Sequence, residues 1–144
     1  MNETENIGLL IKMIHDAVGA IANMELKGLN LTMSQSQMLY FLYQVRGQKV
    51  TIKEIENHFC IRHATAIGIV NRLEDKEFVL SCGSCDDKRV RHIAITKAGE
   101  KIYEAILLKS SLLERKYLEG LTSEETEHLK GALTVINFNL QKLR

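Results

Sequence analysis

Apolar residues recur every three or four positions along most of this chain, which is the spacing of a helix with one buried face. The pattern predicts helices that begin near residues 6, 32, 51, 63, 98 and 122. Three of them open on a capping box, in which a Thr and a Glu or Gln three positions later satisfy free backbone N–H groups. These pairs are Thr32 with Gln35, Thr51 with Glu54, and Thr122 with Glu125. The fold class is therefore mainly α.

The helical period stops after residue 76, and two strands are predicted instead. Residues 78–80 are apolar, residues 93–95 alternate as a half-buried strand does, and the stretch between them is rich in Gly, Ser and Asp. Val50 is expected to add a short strand beside this hairpin. A pair of short helices, 51–59 and 63–76, followed by a hairpin is the arrangement of a winged helix-turn-helix. Its second helix enters the major groove of DNA.

The second helix of this pair carries the candidate contacts to bases. Arginine and histidine can donate to guanine, threonine can donate or accept, and methyl groups can contact thymine. The candidates are Arg62, His63, Ala64, Thr65, Ile67 and Gly68. The alternative for Arg62 is a solvated turn residue.

Candidate contacts to phosphate lie near helix starts and at the helix end. Ser36 and Thr51 are near N-termini, where free N–H groups favour an anion, although plain capping is the simpler explanation of both. Arg72 can reach a phosphate or pair with a neighbouring carboxylate.

Three stretches resemble the MarR family of bacterial transcription regulators. They are NRLEDKEFV at 71–79, the triplet Asp87-Lys88-Arg89, and HIAITKAGE at 92–100. The resemblance extends over nearly the whole length. It implies one MarR-type domain over 1–144, with a winged helix DNA-binding region at 31–97 and helical dimerisation regions at 1–30 and 98–144.

The function that this resemblance implies is sequence-specific binding of double-stranded DNA by a homodimeric regulator, expected to be a repressor. Two reading helices one DNA turn apart predict a pseudo-palindromic operator. In the wing, Asp87 resembles the family's device for aiming Arg89 into the minor groove, and Lys88 and Arg91 add positive charge.

Small aromatic or anionic effectors are also implied, because family members often bind them between the dimer helices and the reading domain. The candidate pocket residues are Ile11, His15, Met38, Tyr40 and Tyr103. Ordinary core packing is the alternative for each of them. Relief of repression by such a ligand, or by thiol oxidation, is the expected regulation.

The last helix has a seam of apolar residues at alternating spacings of four and three, which is the pattern of a coiled coil. The seam residues are Leu129, Leu133, Ile136, Leu140 and Leu143. One such helix cannot bury its seam alone, and the first helix has the same problem. Both chain ends are therefore predicted to mediate dimerisation; the alternative is packing onto their own domain.

Three positions depart from the family pattern. Arg62 stands where a Ser is frequent, and Gly68 stands where a long basic side chain is frequent. Glu77 replaces a helix-ending Gly, so another turn geometry is expected there. These departures concern base contacts and one turn, and they leave the fold unchanged.

Cys82 and Cys85 form a CxxC pair in the predicted wing loop. Nearby basic residues favour thiolate, so the pair can be reduced surface thiols, a redox-responsive disulfide, or half of a metal site completed by His92 or by a partner chain. Reduced thiols are the simplest interpretation, so neither a metal nor another cofactor is expected. Cys60 is interpreted as a buried turn residue.

Composition and charge exclude several classes of protein. With 45% hydrophobic residues, the chain of 144 residues can form a core, and its net charge of +1 is unlike that of a non-specific nucleic-acid coat. The sequence predicts no signal peptide and no apolar run long enough to span a membrane. Three cysteines without a leader indicate a reducing compartment. A cytoplasmic location is therefore expected.

A catalytic motif, a glycine-rich phosphate loop and zinc-type histidine spacing are missing from the sequence. The chain is therefore not expected to be an enzyme. A winged helix that binds only protein is the other alternative, and the basic wing argues against it.

Overall fold

A computed structural model of the protein describes residues 6–83 and 90–144. Helices dominate the chain, and the described strands form a small antiparallel sheet, which confirms the predicted fold class. The elements in order are α1 (Ile7–Gly28), α2 (Met33–Gln44), β1 (Val50–Thr51), α3 (Ile52–Phe59), α4 (His63–Asp75), β2 (Val79–Gly83), β3 (Arg91–Ile95), α5 (Lys97–Tyr117) and α6 (Ser123–Lys142).

The three predicted capping boxes are all confirmed. In the box of α3, the backbone N–H of Thr51 donates to the Glu54 carboxylate at 2.7 Å, and the Glu54 N–H donates to the Thr51 hydroxyl at 3.1 Å. The same reciprocal pattern opens α2 and α6. The start of each of these helices is therefore fixed by residues that are close in sequence.

The sheet has the strand order β1-β3-β2, with both pairings antiparallel. The predicted strand at Val50 is confirmed, because Val50 pairs with Ile93. Ile93 is completely buried, and it joins the sheet to a core formed by α2, α3 and α4. The largest fully buried side chains of this core are Met38, Leu39, Leu42, Ile55, Leu73, Ile93, Val70 and Val79.

The junction between β3 and α5 explains the Thr-x-x-Gly part of the sequence pattern. The Thr96 hydroxyl donates to the Glu77 carbonyl oxygen at 2.7 Å and accepts from the Gly99 N–H at 3.0 Å. Gly99 lies against the Phe78 carbonyl group so closely that a Cβ atom would overlap it. Only glycine fits this position, since backbone cannot move aside as a flexible side chain can.

Two turn residues differ from their predictions. Cys60 was expected to be buried, but it is exposed and ends α3 in the left-handed conformation, with φ of 52°. Glu77 was expected to need another turn geometry, yet it adopts the left-handed one itself, with φ of 63°. The hydrogen bond from the Phe78 N–H to the Leu73 carbonyl closes this turn at 3.0 Å, which compensates for the unfavourable φ.

Replacing Glu77 with Gly is expected to stabilise the protein by about 1 kcal/mol, because glycine has no Cβ penalty at positive φ. The free energy of unfolding from urea titration would measure the gain. Glu77→Ala is the matched control: it removes the same charge but keeps the Cβ atom, so it should bring little gain. An equal gain for both variants would contradict the conformational explanation.

The chain divides into two compact units, Met1–Lys109 and Ser110–Arg144. The first contains the sheet and the core, and the second contains α6, which has no buried residue. The helix α1 buries only Leu26 and leaves large apolar side chains exposed. These are Ile7, Leu9, Ile11, Met13, Ile14, Ile21 and Met24.

The expectation that no apolar run could span a membrane was wrong for α1. This helix of 22 residues is long and apolar enough to cross a membrane, by length and composition alone. The same composition suits a helix whose apolar face pairs with another helix in water. This property of α1 is therefore weak evidence for a membrane.

Candidate nucleic-acid interface

The helix α4 presents one face to solvent and packs the other into the core. Ala66, Val70 and Leu73 are completely buried, and they fix the helix on α2, α3 and the sheet. The exposed face begins at the N-cap, where Arg62, His63, Ala64 and Thr65 are all exposed. Ile67 and Gly68 are half-buried beside them.

A groove of about 500 Å³ separates this exposed face from the start of α2. Its lining combines the first turn of α2, which has free N–H groups, with the cation of Arg72. Such a combination favours an anion such as phosphate. The lining residues are Thr32, Ser34, Gln35, Ala64, Thr65, Gly68, Ile69 and Arg72.

A second groove, of about 510 Å³, lies on the other side of α4, next to the start of β3. There the His63 Nδ1 atom is 3.2 Å from the Glu56 carboxylate, so α3 helps to orient the first side chain of α4. Lys53 adds a positive charge at the start of α3. The lining residues are Thr51, Ile52, Lys53, Glu56, His63, Ile67, Val90 and Arg91.

One carboxylate joins the end of α4 to both strands of the hairpin. Glu74 accepts hydrogen bonds from the Ser81 hydroxyl and from the Arg91 guanidinium, each at 2.7 Å. Arg91 also donates to the Asn71 side-chain oxygen at 3.0 Å. The hydrogen bond from Ser81, followed by the charge of Arg91, lowers the pKa of Glu74 below its ordinary value, so the carboxyl is ionised at neutral pH.

Comparison with known proteins agrees with this arrangement. The MarR family matches residues 31–90 of the chain. The HTH-type transcriptional regulator YwoH of Bacillus subtilis is 31% identical over 82% of this chain and 86% of its own length. The chain belongs to the MarR family. YybA, another HTH-type transcriptional regulator of Bacillus subtilis, is 26% identical over 92% of this chain and 87% of its own.

Solved structures show the same MarR fold. MepR, a transcription regulator of the Staphylococcus aureus multidrug efflux pump MepA, has a TM-score of 0.83 at 24% identity, over 94% of this chain and 98% of its own. A MepR mutant bound to an oligodeoxyribonucleotide has a TM-score of 0.74 at 25% identity, with the same coverage. The chain is thus a winged helix-turn-helix transcriptional regulator of the MarR type.

The predicted wing residues are only partly within the described structure. Asp87, Lys88, Arg89 and Cys85 lie outside the described residues, so their roles stay predictions. Arg91 is described, and its guanidinium contacts Glu74 and Asn71 within the protein. This bracing contact was not foreseen, and a contact from Arg91 to phosphate stays a prediction.

The other predicted phosphate contacts occupy different surroundings. Thr51 and Ser36 are half-buried, and the Thr51 hydroxyl serves the capping box of α3. Arg72 is exposed and lines the groove beside α2. Arg72 is therefore the residue of this set whose position best suits a phosphate.

The predicted effector residues fall into two groups. Tyr103 is buried, its ring centroid lies 5.9 Å from that of Tyr40, and Met38 is in the core. Burial, followed by the neighbouring Tyr40, raises the pKa of Tyr103. Ile11 and His15 are exposed on α1, and within residues 6–83 and 90–144 no hydrogen bond or ring contact joins them to the tyrosines.

Cys82 is exposed and pairs across the sheet with His92, so both side chains lie on the same face. The Nδ1 atom of His92 is buried without a hydrogen-bond partner among the described residues. Three or more metal-ligating side chains do not come together anywhere in the described part of the chain.

The sequence did not reveal two connections at the end of α4. One is the Glu74 network, whose partners are brought together only by the packing of the sheet. The other is Lys76, which donates to the Asn30 carbonyl and, at 3.1 Å, to the Gln35 side chain. The sequence around a Lys or Glu at a helix end does not indicate which distant residues it will contact.

Proposed function

We propose that the protein is a homodimeric repressor that binds a pseudo-palindromic DNA operator and acts without catalysis. The observation that carries the proposal is the exposed start of α4, with an open groove of about 500 Å³ on one side of it and one of about 510 Å³ on the other. Arg62, His63, Ala64 and Thr65 would contact bases, and Ile67 would contact a thymine methyl group. Arg72 and the start of α2 would hold the adjacent phosphates.

Dimerisation is supported by the apolar side chains that α1 and α6 leave exposed. Leu133 is 44% exposed and Leu140 is 54% exposed, which is unusual for a regular apolar seam in a stable monomer. A second copy of the chain would cover these residues and place two reading helices about one DNA turn apart. Residues 1–30 and 98–144 would then be the dimerisation regions, and 31–97 the DNA-binding region.

Selection of duplexes from a random-sequence library by the purified protein tests this proposal. We expect enrichment of a two-fold symmetric site, bound by two protomers with a strong dependence on salt concentration. Binding of all duplexes with equal affinity would contradict it. A footprint of the enriched site within promoters that the protein silences would distinguish repression from activation.

The wing arginine offers a direct test of DNA contact. Arg89→Ala is expected to weaken operator binding and to reduce the slope of log affinity against log salt by about one, with almost no change in thermal stability. Lys101→Ala, which removes an exposed cation from α5, is the matched control and should leave the slope unchanged. An unchanged affinity for Arg89→Ala across the titration would exclude a wing contact.

Regulation by a small aromatic or anionic ligand is supported by the tyrosines at α2 and α5. Tyr43 also belongs to this cluster, with its ring centroid 4.9 Å from that of Tyr103 and the Arg46 guanidinium 4.3 Å above its ring. A cation beside aromatic rings suits an aromatic anion. Binding there would shift the equilibrium between two spacings of the reading helices.

Thiol oxidation is the second proposed signal, because Cys82 is exposed in the strand that leads into the wing. Treatment with diamide is expected to lower operator affinity, and the double variant Cys82→Ser with Cys85→Ser should keep full affinity with and without diamide. Gel shifts of both proteins under both conditions would show this. If diamide leaves the operator affinity of the wild-type protein unchanged, the two cysteines are structural thiols without a redox role.

A further inference from the structure

Glu74 is the described residue that holds the reading helix and both strands of the hairpin at once. It lies in the last turn of α4, Ser81 is in β2, and Arg91 is in β3. The side chains of Glu74 and Arg91 are 34% and 32% exposed, so the pair is partly shielded from water. Hydrogen bonds with ionised partners are stronger than neutral ones, and both of these are short.

We propose that Glu74 is a positioning residue for DNA recognition, which fixes the angle between the reading helix and the wing through Ser81 and Arg91. The proposal rests on the proposed function, because it assumes that α4 and the wing contact one duplex together. Glu74 itself would touch no base and no phosphate. It would act by keeping two DNA-contacting elements in one relative orientation.

The position of the bonds along the hairpin makes this role effective. The backbone connects α4 to β2 through a turn at Glu77, which leaves the far end of the hairpin to be held by other contacts. Ser81 pairs with Ile93, and Arg91 pairs with Gly83. The Glu74 carboxylate therefore bonds to the hairpin well beyond the turn at Glu77. A rotation of the hairpin about the turn would break both bonds and displace the wing tip.

The same geometry separates this role from a direct contact of Arg91 with phosphate. One nitrogen of the Arg91 guanidinium donates to both Glu74 and Asn71, so the charge of Arg91 is balanced within the protein. Removing the negative charge of Glu74 should strengthen binding to any duplex by electrostatics alone. Loss of positioning should instead weaken binding to the correct sequence, so the two effects have opposite signs.

The experiment compares two labelled duplexes: one selected from a random library by the wild-type protein, and one with the same bases in scrambled order. Glu74→Gln is expected to bind the selected duplex about tenfold more weakly, which is the size of a coupled interaction, and the scrambled duplex no more weakly. Asp75→Asn is the matched control, since it removes the same charge one residue away. It should not lower the ratio of the two affinities.

A double-mutant cycle with Arg91→Gln then tests whether the two residues act through each other. We expect the double variant to bind the selected duplex about as well as either single variant. Additive losses, or a fall in the salt slope of about one for Arg91→Gln alone, would instead assign Arg91 to a phosphate and overturn the proposal.

One further variant keeps the result unambiguous. Ser81→Ala removes one hydrogen bond to Glu74 and no charge. It should also weaken binding to the selected duplex, by a smaller factor than Glu74→Gln. If Glu74→Gln does not fold, Ser81→Ala alone tests the positioning role. If the wild type discriminates between the two duplexes, and Glu74→Gln and Ser81→Ala bind both with wild-type affinity, then the positioning role is wrong and the proposed function still stands. If the wild type selects no duplex, the proposed function fails, and the positioning role fails with it.

Discussion

Gly99→Ala is expected to destabilise the protein by about 3 kcal/mol or more, which corresponds to a fall of about 10 °C in the melting temperature. The added Cβ atom would overlap the Phe78 carbonyl group and would lie 2.7 Å from the Ile95 side chain. Relief requires α5 to move away from the turn that follows α4. That movement would also stretch the two hydrogen bonds of the Thr96 hydroxyl.

Gly68→Ala is the matched control for this prediction, because a Cβ atom there meets nothing within 4 Å. The same substitution should stabilise α4 by about 1 kcal/mol, since alanine is the better helix former. Thermal and urea unfolding of both variants would measure the two effects, which have opposite signs. Equal and small changes would show that the contact of Gly99 with Phe78 is easily relaxed.

A second large effect is expected when the seam of α6 is made acidic. Leu133→Glu combined with Leu140→Glu should convert the dimer to a monomer and weaken operator binding by at least about a hundredfold, because two half-sites would no longer be bound as one unit. Both leucines are exposed within the single chain, so the monomer should keep its helical content. Sedimentation gives the oligomeric state, and circular dichroism gives the fold.

Thr134→Glu controls for the added charge on α6. Its hydroxyl bonds only to the backbone carbonyl of Lys130, and it lies on the side of the helix away from the seam. This variant should remain dimeric and keep its operator affinity. A double leucine variant that still sediments as a dimer would show that α6 does not carry the association.

Features specified by residues close in sequence were predicted well. The three capping boxes were found because both partners lie within one turn, as Thr51 and Glu54 do. Helix ends are harder to read from the sequence: α2 ends at Gln44 and α5 at Tyr117, while Gly47 and Gly120 occupy the following turns with positive φ. A glycine in the sequence therefore indicates where the turn lies, and it does not identify the last residue of the helix.

Features that depend on packing could not be predicted from the sequence. Ser81, Arg91 and Glu74 meet only because the register of β2 and β3 places two side chains above the end of α4. Cys60 was expected to be a buried turn residue, but the turn between α3 and α4 exposes it. The exposed face of α4 was predictable from its helical period, and the hydrogen bonds that brace the helix were not.

The central place of β3 in the sheet has a consequence for how related proteins can diverge. Because β1 and β2 hold β3 from both sides, the attachment of the hairpin does not depend on the length of the segment 84–89. Loop entropy grows only as the logarithm of length, so doubling that segment would cost about 0.6 kcal/mol. Insertions and deletions there should therefore be tolerated during evolution, and sequence preference can change while the scaffold is inherited intact.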